Sequence, residues 1–276
     1  MKSKILIFGQ GFIGQRLKET LGGEISERRI MSFKDAQDEF EKYRPKIIIN
    51  CIGYTGKRNV DDCELDKDKS LISNTFVPII LAEIALRNKV KLVHISSGCI
   101  YHYDYAKSKP VTEEEIPYFF DLFYSRTKIY SERALEVLSK TYNILIARIR
   151  IPMDDRPHNK NILNKLISYR KVIDVPNSVT YIPDFIQALR HLIKIDARGI
   201  FNVVNKGGLR YPKLMEAYKK HVPDFQYEII DYRKLGLVRT NLLMSTRKLE
   251  KTGYKVRKIE EVLDECVKRF VGVRGK

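Results

Sequence analysis

Apolar residues in this chain fall into short unbroken runs separated by longer stretches with helical spacing. Lys4 to Phe8 (KILIF), Lys46 to Ile52 (KIIINCI, bounded by Pro45 and Gly53), Lys91 to Ile95 and Asn143 to Ile149 (NILIARI) read as strands buried on both faces. Between them, Gln15 to Leu21 is amphipathic. Ser73 to Asn88 places Val77, Ile80, Leu81, Ile84 and Ala85 on one helical face, and Ser125 to Thr141 reads as a long helix. Fully apolar strands alternating with helices predict an α/β fold, a doubly wound parallel sheet of Rossmann type.

Past about residue 150 the regularity falls. Pro152 and Pro157 flank a polar loop. Helices are expected near Asn161 to Tyr169, Pro212 to His221 and from Ile259, with a strand at Gly199 to Val204. The predicted organisation is a dinucleotide-binding domain over 1–150 and a smaller C-terminal substrate-binding region over 151–276, some of whose segments return to the Rossmann core.

Composition narrows the class. Hydrophobic residues make up 43% of the 276, enough for a sizeable core. The longest apolar stretch, Phe76 to Leu86, is short for a membrane span and contains Glu83. The opening MKSKILIFGQG breaks into glycines, so it reads as a first strand rather than a signal peptide, and a cytoplasmic protein is expected. Cys51, Cys63, Cys99 and Cys266 show no CxxC spacing, which argues against a zinc site and a disulfide framework. The net charge of +17 attracts polyanions, either nucleic acid or a diphosphate-linked substrate with a dinucleotide. Basic residues are spread along the whole chain and no RNA-binding motif with interleaved aromatics is visible, so no nucleic-acid partner is expected.

Gly9-Gln10-Gly11-Phe12-Ile13-Gly14 is a GxGxxG sequence placed after a strand and before a helix. Glycines there let the backbone approach a pyrophosphate, which the helix N-terminus attracts. Arg28 and Arg29, near the end of the second strand, suit the 2′-phosphate of NADPH, with NADH as the alternative. Tyr124-Ser125-Arg126-Thr127-Lys128 is a YxxxK, whose i, i+4 spacing puts both side chains on one helix face. An ammonium beside a phenol lowers the phenol's pKa and lets it transfer a proton near neutrality. Ser97 ends the strand that lies between these two motifs.

Order and spacing resemble the extended short-chain dehydrogenase/reductases. Ser97, Tyr124 and Lys128 match that family's catalytic triad, Asn50-Cys51-Ile52-Gly53 stands where it has NAAG, and Asn74 where it has a structural asparagine. The blocks NCIGYTGKRNVDDCE (50–64), SSGCIYHYD (96–104), FYSRTK (123–128), RIRIP (148–152), VPNSVT (175–180) and RTNLLMSTRKL (239–249) resemble, more narrowly, the epimerase/reductase module of UDP-rhamnose synthases. Two departures stand out: the glycine loop is one residue shorter than the usual GxxGxxG, and Asp62 replaces an aromatic residue.

That resemblance implies a 3,5-epimerase/4-reductase converting UDP-4-keto-6-deoxyglucose to UDP-β-L-rhamnose with NAD(P)H. Gly9, Gly11, Phe12, Ile13, Gly14, Arg28, Cys51, Gly53, Asn74, Tyr124 and Lys128 would meet the cofactor. Arg58, Asn161, Asn177 and Arg239 would meet the nucleotide sugar. Cys99 matches the epimerisation cysteine of this module and of the similar GDP-fucose synthase, and Lys165 its partner lysine, with His158 as fallback. Which of the pair is acid and which is base stays open. The resemblance also implies a separate 4,6-dehydratase supplying the substrate, no metal, and a homodimer as one expected assembly. Rival readings are a 4-reductase without epimerase activity, an enzyme acting on a dTDP- or GDP-linked sugar, and a catalytically silent, cofactor-sensing or RNA-binding relative.

Overall fold

The computed structural model describes residues 5–103, 109–235 and 240–274. The elements run β1 (Ile5–Phe8), α1 (Phe12–Leu21), β2 (Glu24–Ser26), α2 (Phe33–Tyr43), β3 (Ile47–Asn50), α3 (Lys67–Leu71), α4 (Val77–Arg87), β4 (Lys91–Ser97), α5 (Phe123–Ser139) and β5 (Ile144–Ile149). They continue with β6 (Pro152–Met153), α6 (Ile162–Tyr169), β7 (Lys171–Ile173), β8 (Thr180–Tyr181), α7 (Ile182–Lys194), β9 (Gly199–Asn202), α8 (Tyr211–Lys219), β10 (Glu228–Ile230), α9 (Arg247–Glu250) and α10 (Ile259–Arg274).

Six strands form one sheet in the order β2-β1-β3-β4-β5-β9. The pairs β1–β2, β1–β3 and β3–β4 are parallel, with Ile5 opposite Ile47 and Ile47 opposite Lys91. Strand order reverses between β1 and β3, the place where open α/β sheets bind ligands at the strands' carboxyl ends. One face of the sheet carries Leu6, Phe8, Ile48, Leu92, Ile144 and Ile146 against Val77, Leu81, Ala85 and Leu135 of α4 and α5. This two-sided burial is why the strands read as continuous apolar runs.

Contacts divide the chain into two units, and neither follows a single cut at residue 150. The first holds 1–101, 116–148 and 190–201; the second holds 102–115, 149–189 and 202–276. The second unit has its own core, built from Leu163 and Leu166 of α6, Leu214 and Met215 of α8, and Val262, Cys266 and Phe270 of α10. Two small parallel ladders, β6 with β8 and β7 with β10, lie in it.

The expected helix 73–88 is longer and less regular than its spacing implies. It begins as α3, widens into a π-helical turn over Ile72–Phe76, and resumes as α4 with Pro78 in its first turn. Proline has no N–H to give and crowds the preceding turn, so a wider turn before it relieves both demands. By length and composition the whole run Lys67–Arg87 would suffice to cross a membrane. Its Val77, Leu81, Ala82, Ile84 and Ala85 are instead spent on the sheet's core.

Candidate active site

The glycine loop leads from β1 into α1. Gly9 has φ +111°, and a Cβ there would lie 2.8 Å from the Cys51 carbonyl carbon. The Cys51 N–H donates to the Phe8 carbonyl at 2.7 Å, so the ends of β1 and β3 are stitched together at the switch point. Gly14 meets a harder limit, because its Cβ would lie 1.9 Å from the Gly9 carbonyl oxygen. Gly11, by contrast, has nothing within 4 Å of a Cβ position. It caps α1 without a side-chain hydrogen bond, and the first turn carries no acid, so the positive end of the helix suits an anion.

Beside the loop lies a cavity of about 440 Å³ lined by Gly9, Gln10, Arg28, Arg29, Ile52, Lys69 and Ser73, among others. A helix N-terminus, a glycine backbone without room for side chains, and a basic lining fit the adenosine half of a dinucleotide. Arg28 departs from its expected role. Its guanidinium is held by Asp35 and Asp38, both at 2.9 Å, which ties it to α2. Asp35 closes a capping box with Ser32 at the start of α2, and the Ser32 hydroxyl first among its partners, followed by the Met31 N–H, holds its pKa down to about 2. Arg29 and Lys69 also line that cavity, with the Lys69 Nζ 4.7 Å from the centroid of the Tyr54 ring.

On the far side of β3, Asn74 sits fully buried in the π-turn. Its Oδ1 accepts from the Tyr54 N–H and its Nδ2 donates to the Tyr54 carbonyl, both at 2.9 Å, and also to the Thr127 hydroxyl at 3.2 Å. Asn74 therefore clasps the Gly53–Tyr54 backbone to α5, a structural use of a residue expected to meet the cofactor. The Lys128 Nζ lies 3.4 Å from where a Gly53 Cβ would be. Burial lowers the Lys128 pKa from 10.5 to about 8, and Glu132 pulls the other way. Burial also pushes the Cys51 thiol up to about 12, so it stays protonated beside that ammonium.

Three neighbours had no role of their own assigned from the sequence. Asn50 Oδ1 accepts from the Ile52 N–H at 2.9 Å, which leaves its Nδ2 to donate to His94 Nδ1 at 3.1 Å. This fixes the His94 proton on Nε2. Burial first, and Lys128 second, keep the ring neutral. Glu64 accepts from the Phe123 N–H at 2.7 Å and so caps α5, which lacks a side-chain cap of its own.

At the end of β4, Ser97 Oγ accepts from the Cys99 N–H at 3.1 Å. The Cys99 carbonyl accepts from Ser125 Oγ at 2.6 Å, next to Tyr124. Ser97, Cys99, Tyr124 and Lys128 thus converge in the first unit, with Cys99 half-buried and the other three buried.

The residues expected to meet the sugar nucleotide fare differently. Asn161 is saturated as the N-cap of α6: Oδ1 accepts from Asp154 and Leu163 N–H groups, and Nδ2 donates to the Asp154 and Arg156 carbonyls. It is a loop anchor with no hydrogen-bonding capacity left for a ligand. Asn177 is buried likewise, taking Arg150 Nη2 at 2.9 Å and the Leu242 N–H at 3.0 Å and donating to Asn241 at 2.6 Å. Arg58 is exposed and turned back on Asp62 at 2.9 Å. Asp62, the departure noted above, also accepts from the Arg58 N–H at 2.8 Å, and Arg58 holds its pKa down to about 2. Lys165 is half-buried on α6, in the second unit. Arg239 lies outside the described residues.

Comparison with known proteins sets this arrangement among relatives. Residues 3–207 match the sequence profile of the RmlD substrate binding domain. A trifunctional UDP-glucose 4,6-dehydratase/UDP-4-keto-6-deoxy-D-glucose 3,5-epimerase/UDP-4-keto-L-rhamnose-reductase of Arabidopsis thaliana is 29% identical over 94% of this chain. The chain spans 41% of that relative's length. A bifunctional dTDP-4-dehydrorhamnose 3,5-epimerase/dTDP-4-dehydrorhamnose reductase of the same plant is 28% identical, covering 95% of this chain and 91% of its own. Among solved structures, the L780 UDP-rhamnose synthase of Acanthamoeba polyphaga mimivirus superposes with a TM-score of 0.90 at 24% identity, over 98% of this chain and 100% of that one. A dTDP-4-dehydrorhamnose reductase of Bacillus anthracis, in complex with NADP, does so at 0.82 and 21% identity, over 96% and 97%. These two share the fold.

Proposed function

The chain belongs to the RmlD substrate binding domain family, and from that premise we propose that it is an NADPH-dependent 3,5-epimerase/4-reductase of a UDP-linked 4-keto-6-deoxy sugar, yielding UDP-β-L-rhamnose. The observation that carries the reading is the tying of the Ser97–Cys99 turn to α5 through two hydrogen bonds, Cys99 N–H to Ser97 Oγ and Ser125 Oγ to the Cys99 carbonyl, with Tyr124 adjacent to Ser125 and Lys128 one turn further along α5. The curated plant relatives, whose names include the epimerase and reductase steps, support the substrate class.

A 4-keto group acidifies the hydrogens on C3 and C5. Inverting either centre takes a proton from one face of the sugar and returns one to the other, which needs two proton-carrying side chains. Cys99 is one, on the turn after β4, and Lys165 is the partner proposed from the second unit. Reduction then follows at C4. Bound NADPH supplies the hydride for that carbon. Tyr124 gives its phenolic proton to the developing C4 oxygen, Ser97 Oγ donates a hydrogen bond to the same oxygen, and the Lys128 ammonium makes the phenol the stronger acid. Arg29 and Lys69, which line the cavity, would hold the cofactor's 2′-phosphate, and the glycine loop at the start of α1 would take its pyrophosphate. A 4,6-dehydratase activity supplies the substrate.

The test is turnover of UDP-4-keto-6-deoxyglucose with NADPH in deuterated water, followed by NMR of the product. Deuterium at C3 and C5 of UDP-L-rhamnose, lost in Cys99→Ala while NADPH is still oxidised, is the expected result. NADPH oxidation without deuterium at either carbon would make the protein a plain 4-reductase and the thiol a packing group.

A further inference from the structure

Beneath the candidate catalytic residues lies an ion pair with no part in the chemistry just described. Glu132 stands on α5 one turn beyond Lys128 and two beyond Tyr124. Its Oε1 accepts from Nε and Nη2 of Arg148 at 3.0 and 2.7 Å, and its Oε2 accepts from Ser96 Oγ at 2.6 Å. The two charged side chains are 1% and 0% exposed, sealed from water. The Arg148 guanidinium, on β5, also sits 5.4 Å from the centroid of the Tyr101 ring.

What these partners flank is informative. Ser96 immediately precedes Ser97, and Tyr101 lies two residues past Cys99. The turn carrying both candidate groups is therefore pinned at its start by the Glu132 carboxylate and at its end by the Arg148 guanidinium. Ser125 Oγ holds its middle through the Cys99 carbonyl. Burying two charges gains little stability over apolar side chains of the same volume, because desolvation offsets most of their attraction. A buried pair that joins three elements at a reaction centre does something else well: it fixes geometry.

We infer that Glu132 and Arg148 are positioning residues that lock the Ser97–Cys99 turn onto the Tyr124–Lys128 face of α5. The inference deepens the function proposed above and rests on it for its catalytic consequence. It has an electrostatic consequence as well. The charged and titratable groups coupled to Lys128 are Glu132 on α5, Cys51 after β3, Cys63 on the 3-10 turn Val60–Glu64, and His94 on β4. Burial keeps both thiols protonated and the imidazole neutral. Among the groups that favour the Lys128 ammonium, Glu132 acts most strongly.

The test compares wild type with the double variant Glu132→Met/Arg148→Met, which removes both charges together and leaves neither unpaired. Glu132→Gln serves as a second variant should the double one fail to fold. Circular dichroism and thermal unfolding establish the fold. Reduction is followed by NADPH oxidation against pH. The Lys128 titration is followed separately by NMR of 13Cε-labelled lysine without substrate, assigned through Lys128→Met. We expect kcat to fall about 10- to 100-fold with KM changed far less. We also expect the alkaline limb of kcat and the Lys128 NMR midpoint to move together to lower pH. A purely structural pair would move neither pH readout. A folded variant with wild-type kcat and an unmoved Lys128 midpoint overturns the inference. A wild type inert toward the nucleotide sugar refutes the functional reading instead, while a lowered midpoint in the variant still upholds the coupling of the pair to Lys128.

Discussion

Replacing Lys128 with methionine is expected to make the protein more stable while abolishing reduction. The side chain is 4% exposed, and burial lowers its pKa from 10.5 to about 8. In the unfolded chain the ammonium titrates near its ordinary value. Below pH 8 both states carry the proton, but the folded state carries it in a poorly solvated place. At about 1.4 kcal/mol per pKa unit, that mismatch withholds about 3 kcal/mol of stability at pH 7. The sign follows from proton counts. Between pH 8 and 10.5 the unfolded chain binds the proton and the folded chain does not, so stability rises with pH across that window. Above it the penalty is gone. Methionine has a similar length and no charge, and Glu132 keeps Arg148 as its partner. The variant should gain roughly 2–3 kcal/mol at pH 7, or about 3–6 °C in Tm for a chain of this size, and most of that gain should vanish by pH 10.5. Scanning calorimetry at the two pH values reads this directly, with NADPH oxidation measured in parallel. A variant less stable than wild type at pH 7, or one whose gain is the same at both pH values, would refute the reasoning.

Two further predictions concern the cofactor side. Gly14→Ala should destabilise the protein by about 1–3 kcal/mol or more even without nucleotide, because its Cβ meets the Gly9 carbonyl; Gly11→Ala, with open space around it, should cost under about 1 kcal/mol, and equal urea midpoints for the two would show the backbone contact to be unimportant. Arg29→Ala should weaken NADPH binding about 10- to 100-fold and leave NADH binding nearly unchanged, whereas Arg28→Ala should lower Tm through its lost ties to Asp35 and Asp38 and spare both nucleotides, as fluorescence titration will tell.

Legibility from sequence tracked the physical signal. The strands of the central sheet are apolar on both faces, so β1, β3, β4 and β5 announced themselves. Of its two edge strands, β2 is only three residues long and exposed at Glu24, too brief to show a period. α2 was missed because its mean hydropathy is low, though Ser32 and Asp35 spell its capping box. At the site, glycines and the Tyr124–Lys128 spacing stood out because their chemistry demands those types at that interval. Arg28 misled because a sequence does not reveal that Asp35 and Asp38 compete for it. Asn161 and Asn177 were undecidable for a similar reason: asparagines that anchor loops and those that touch ligands look alike until their partners are counted. Glu132 was within reach, standing four residues past Lys128. Its partner Arg148 was not, since 16 residues separate the two in the chain.

The placement of β9 beside β5 bears on how the chain folds as it is made. β5 ends at Ile149 and β9 begins at Gly199, so the strands cannot pair until the intervening residues have been synthesised. At roughly 5–20 residues per second, β5 leaves the ribosome with a bare edge that persists for roughly 2–10 seconds. An apolar strand with one unpaired edge invites pairing with another chain. The nascent protein therefore passes through an interval of aggregation risk that the finished molecule no longer carries, and slowing translation between residues 150 and 200 should lower soluble yield.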